Sequence, residues 1–177
     1  MTGVVFPVAP CVVALVITAA VWDWQTRRIP NWLVLAALII ALPLQVFVHG
    51  ALGGIQAWLL GCLAGGVMLL PGYLTRTVGA GDVKLMAAIG TFCGPALAME
   101  IALVASAIGG VWALVWLTRR KRLRAGLTNT MSMLVTVAGG ARAGVQHGKD
   151  LRALSVGRLP FGVAIAIGTL GTMMTGL

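Results

Sequence analysis

NWLVLAALIIALPLQVFVHGALGGIQAWLLGCLAGGVMLLPGY, residues 31–73, contains no Asp, Glu, Lys or Arg. At about 1.5 Å of rise per helical residue, an uncharged run of about 20 residues matches a hydrocarbon core roughly 30 Å thick, and this stretch holds two such runs. The glycines at 50, 53 and 54 punctuate it, which predicts two membrane-spanning helices at about 31–48 and 53–73. Similar apolar runs at about 4–22, 83–94, 96–117 and 159–175 complete an all-α, polytopic integral membrane protein with six transmembrane helices. The expectation is one membrane domain, 1–177, with a loop at 118–158. Composition agrees, because 59% of the residues are hydrophobic and only 10% charged, against roughly 25% charged in soluble domains. A water-soluble fold is excluded.

The first run has no Lys or Arg before it and no small-residue cleavage pattern after it, so it is expected to stay in the mature chain. Cys11, Cys62 and Cys93 each stand alone in an apolar run. That spacing suits neither zinc nor a disulfide framework, and the three read as small buried hydrophobes.

The net charge of +9 has a topological explanation. With six spans, one side of the bilayer receives residues 23–30, 74–82 and 118–158. Arg27 and Arg28 lie in the first of these loops, Arg76 and Lys84 in or beside the second, and nine more basic residues, Arg119 to Arg158, in the third, which accounts for all 13. By the positive-inside rule that side is the cytoplasm, with both termini outside. No soluble basic domain remains to bind nucleic acid. The run RRKRLR at 119–124 reads as a topology anchor, and LTNTMSMLVTVAGG at 127–140 as a segment lying among the lipid headgroups.

Only four acidic residues are present, Asp23, Asp82, Glu100 and Asp150, so carboxylate chemistry has few candidates. Asp23, in WDWQTRRIPN, closes the first span, and Asp82, in GAGDVKLMAAIG, opens the fourth; both fall at the cytoplasmic boundary. Glu100 falls on the opposite side, and Asp150, near Lys149 and Arg152, reads as a solvated ion pair. The short fourth span, about 20 Å of helix, sets Asp82 below the membrane surface. Gly79 and Gly81 beside it either admit a substrate backbone or a neighbouring helix, or simply make a turn. Lys84 either tunes Asp82 and helps bind substrate, or snorkels to the headgroups. Tyr73, His49 and His147 have no nucleophile partner pattern. Two carboxylates within reach of one water share a proton, one serving as base and the other as acid. The helix dipole, favouring an anion at a helix start over a helix end, assigns the base to Asp82.

Three features in order resemble the type IV prepilin leader peptidases, membrane aspartyl peptidases with a Gly-x-Gly-Asp signature. They are the Asp23 motif ending in RRIPN at 27–31, GAGD at 79–82 followed by VKL, and LPFGVAIAIG at 159–168. The resemblance implies a six-helix core, Asp23 and Asp82 as the catalytic pair, and Gly79 and Gly81 as supporting glycines. It implies removal of a short basic leader from prepilins or pseudopilins at the cytoplasmic face of the bacterial inner membrane, after a Gly that precedes the pilin's hydrophobic helix, with no metal or organic cofactor. The zinc-binding, paired-cysteine domain of larger members has no counterpart here, so the chain is similar to the minimal form associated with Flp or tight-adherence pili. No feature supports a second, methylating activity. The alternatives from other classes are a proton-coupled transporter subunit and a non-catalytic pilus or secretion assembly factor. Against transport, the two acids sit at one interface rather than at the bilayer midplane where transporter sites tend to lie.

Overall fold

The computed structural model describes residues 8–74, 77–119 and 161–175. These form four helical segments: α1 (Val8–Thr26), α2 (Asn31–Leu74), α3 (Ala80–Arg119) and α4 (Phe161–Thr175). No strand occurs among the described residues. α1, α2 and the Ala80–Trp112 part of α3 are each long and apolar enough to cross a membrane, and α4 is a shorter apolar helix. The expected headgroup segment at 127–140 and the basic run from residue 120 onward lie outside the described residues.

α2 and α3 are not straight rods. Gly50 in α2 has φ 76°, ψ 171° and Gly94 in α3 has φ 76°, ψ 173°, a left-handed region that side chains with a Cβ rarely occupy. Nothing lies within 4 Å of where a Cβ would sit at either glycine. Backbone conformation, not crowding, therefore requires glycine there. Each glycine separates two helical pieces, so α2 comprises 31–49 and 51–74, and α3 comprises 80–93 and 95–119. The pieces fold back on one another: the Trp58 indole donates to the Leu38 carbonyl at 3.1 Å, and Gly54 lies against the Gln45 and Val46 backbone.

The expected helix positions are thus found, with shifted ends. α1 continues to Thr26, past the boundary expected at 22, and α3 begins at Ala80 rather than 83. Asp23 and Asp82 consequently lie inside helical turns, and charge alone did not end either helix.

Close helix contact relies on small residues. Gly61 and Gly65 in α2 face the carbonyls of Gly90 and Met86 in α3 at distances that admit no side chain, a small-xxx-small interface. A second device repairs the break at Gly94. Pro95 has no N–H for the Thr91 carbonyl one turn earlier, and Gln45, only 2% exposed, donates its Nε2 to the carbonyls of Thr91 and Phe92, both at 2.8 Å. The amide thereby supplies backbone partners where no water is at hand.

The chain divides into two compact units, Met1–Gly109 with Pro160–Leu177, and Gly110–Leu159. In the first, Val12, Val16 and Ala19 of α1, Ala37 and Ala41 of α2, Leu85, Met86, Ile89 and Ile101 of α3, and Ile165 of α4 form one core. The opposite faces stay apolar, with Phe47 82% and Leu52 79% exposed, as suits helices whose surroundings are hydrocarbon. In the second, the described residues 110–119 continue α3 as helix.

Candidate active site

The first unit brings Asp23 and Asp82 together at one end of the helices. Asp23 is 6% exposed and Asp82 9%, and the two carboxylates lie within electrostatic range of each other. Asp23 occupies the last turn of α1. Its carbonyl accepts from Arg27 N at 2.8 Å, and Arg27 adopts a left-handed φ of 52°, which stops the helix. The Thr26 hydroxyl lies within hydrogen-bond distance of the Trp22 and Arg28 carbonyls. Thus RRIP turns the chain directly into α2.

Asp82 sits in the first turn of α3, where its Oδ2 accepts the Gly79 N–H at 3.0 Å and its own N–H donates to the Gly79 carbonyl at 3.1 Å. This is the acid half of a capping box, with the carboxylate reaching back over the helix start and no N-cap side chain to return the bond. Asp23 is held similarly by a different helix: its Oδ2 accepts the Gly162 N–H of α4 at 3.0 Å. Each aspartate thus has one oxygen tied to a glycine amide at a helix start. In each, Oδ1 carries no hydrogen bond to a described residue.

The two loops dock on each other. A Cβ at Gly81 would stand 3.3 Å from Ile29 Cβ, so Gly81 lets RRIP seat against the start of α3. Lys84, exposed, donates Nζ to Asn31 Oδ1 at 3.1 Å. The residues predicted for the site, Asp23, Asp82, Gly79, Gly81 and Lys84, therefore converge, but Lys84 ties α3 to the start of α2 and Gly81 faces Ile29. Around this end lie Trp22 and Trp32, edge to face at 5.7 Å, with exposed Trp24 and Tyr73, the residue types that gather at membrane interfaces.

His49 and Glu100 are exposed and lie near the Gly50 and Gly94 ends of their helices, away from the aspartates. Asp150 and His147 lie outside the described residues. Cys11, Cys62 and Cys93 are free and only partly buried. Among the described residues no group of three or more His, Cys, Asp or Glu side chains is placed to hold a metal ion. Sequence reasoning left Gly162 and Ile29 without a role. Gly162 had a signal, since it follows Leu-Pro-Phe where an apolar helix begins.

A sequence model described as the type IV leader peptidase family matches residues 11–114, which includes both aspartates and the GAGD segment. The chain belongs to the type IV leader peptidase family. That family consists of aspartic peptidases, and membership together with the long apolar helices makes the chain a membrane protein with a leader-peptidase-like function. Comparison with curated proteins and with solved structures gives no match.

Proposed function

We propose that this leader peptidase family member is an aspartic endopeptidase that removes the leader of Flp-type prepilins or pseudopilins at the cytoplasmic face of the bacterial inner membrane. The observation that carries the reading is the buried pair, Asp23 and Asp82, in mutual electrostatic range and each with Oδ1 free of described partners. A water between two such carboxylates gives its proton to the ionised one as its oxygen attacks the peptide carbonyl carbon. The other carboxyl protonates the departing nitrogen as the C–N bond breaks. No metal or organic cofactor is required for these steps.

In this proposal the six helical pieces each cross the bilayer and act as one membrane domain. All 13 basic residues then fall on or beside the loops at the aspartate end, which supports a cytoplasmic site. Gly79 and Gly81 support the Asp82 turn and its access to the substrate backbone, and Lys84 secures the docked loops beside the substrate path.

The test is co-expression of a Flp-type prepilin with the wild-type chain, Asp23→Asn or Asp82→Asn, following the substrate's size and new N-terminus. Wild type is expected to shorten the prepilin and each variant to lose about 10²–10⁴-fold in rate at normal protein levels. A variant that still cleaves at the wild-type rate removes that aspartate from the mechanism.

A further inference from the structure

The family match ends at residue 114, and α4 begins well beyond it at Phe161. Yet α4 meets Asp23 through the Gly162 N–H, at 3.0 Å across 139 residues of sequence. A Cβ at Gly162 would stand 2.8 Å from Asp23 Oδ2 and 3.1 Å from both its Cβ and Cγ. Neither partner can yield easily. Asp23 is buried in the last turn of α1, Phe161 packs its ring over Gly109, and a Cβ at Gly168 would stand 3.1 Å from the Ala105 backbone nitrogen.

We infer that Gly162 is a positioning residue of the peptidase site, pinning one oxygen of Asp23 to the start of α4 so that the other is presented for catalysis. The inference rests on Asp23 acting in peptide hydrolysis. An Asp carboxylate otherwise turns about a broad two-fold torsion. The amide of a helix start fixes that torsion, and the missing side chain sets how closely α4 approaches. Gly162 thereby does for Asp23, from the far end of the chain, what Gly79 does for Asp82 from three residues away. Displacement of a reacting group by about 1 Å costs about 10²-fold in rate, and a methyl group at Gly162, 2.8 Å from Asp23 Oδ2 where ordinary contact begins at 3.4 Å, imposes roughly half that displacement.

The test measures prepilin cleavage by the full chain for wild type, Asp23→Asn, Gly162→Ala, Gly168→Ala and Gly171→Ala. Gly171 has open space where a Cβ would go, and Gly168 meets Ala105 rather than Asp23, so these two separate general harm to α4 from displacement of the carboxylate. Gly162→Ala is expected to lose about tenfold or more in kcat with KM within roughly twofold, and to move the acid limb of its pH profile, since one hydrogen bond to the carboxylate is altered. Gly168→Ala is expected to lower the melting temperature without moving that profile, and Gly171→Ala to match wild type.

A folded Gly162→Ala with wild-type kcat and profile overturns the inference, as does a loss equalled by Gly168→Ala with an unmoved profile. Should Gly162→Ala fail to fold, it is remade together with Asp23→Gly. Recovery of folded protein supports the contact, and continued failure overturns it. A wild type that never cleaves, or an Asp23→Asn that still does, overturns the peptidase reading itself, and this inference with it.

Discussion

A carboxylate in the last turn of a helix faces the negative end of that helix's dipole, and taken alone this disfavours Asp23 as an anion while favouring Asp82. The fold changes the comparison, because Asp23 also meets the positive end of α4 at Gly162. Both acids therefore face a helix start, and the dipole no longer decides which is the base. Lys84 changes meaning in the same way. Its bond to Asn31 makes it a tether, so Lys84→Met and Asn31→Ala are each expected to lower prepilin cleavage less than about tenfold, the double variant being no worse than either single. Additive losses in that double-mutant cycle would return Lys84 to a role of its own. Asp23 and Asp82 were legible in the sequence because acids are scarce in apolar runs. The Gly162 contact was not, because no local pattern announces a partner 139 residues away.

At the scale of the helix, length and punctuation were the readable quantities. Apolar runs marked the helices, and glycine-bearing junctions marked the reversals at Gly50 and Gly94. Boundaries were harder to read. Asp23 looked like the end of α1, whereas the helix runs on to Thr26 and stops where Arg27 turns left-handed. Gln45 carries no local signal, since the carbonyls it serves belong to Thr91 and Phe92, 46 and 47 positions on, beside the Gly94–Pro95 break. Gln45→Leu leaves those carbonyls buried without a donor and is expected to destabilise the detergent-solubilised protein by about 1–3 kcal/mol, read as a lowered melting temperature. Glycines of α2 are not equivalent either. A Cβ at Gly61 would strike the Gly90 backbone, whereas one at Gly66 would stand 3.6 Å from Ala87 Cβ, an ordinary contact. Gly61→Ala is expected to cost about 1–3 kcal/mol and Gly66→Ala to leave the melting temperature near wild type.

For the whole molecule, the distribution of charge is the strongest statement in the sequence, because the energetics of loop translocation act on Lys and Arg whatever the details of packing. Single cysteines introduced into a chain free of Cys11, Cys62 and Cys93 test it. His49→Cys, beside the Gly50 reversal, is expected to react with a membrane-impermeant maleimide in intact cells, and Arg28→Cys and Thr77→Cys only after the cells are opened. Labelling of Arg28→Cys in intact cells would reverse the orientation and move the aspartates to the outer face.

The bond between Asp23 and Gly162 also orders events in time. A ribosome makes Asp23 early and Gly162 139 residues later, after the GAGD segment has emerged. Over the 80 positions from Asp82 to Gly162, both acids exist without the amide that steadies the first of them. A nascent chain interrupted before α4 holds every acid of the proposed dyad yet lacks the Gly162 amide, and if that contact aligns the pair, such a chain is expected to stay inactive beside the membrane proteins being inserted around it.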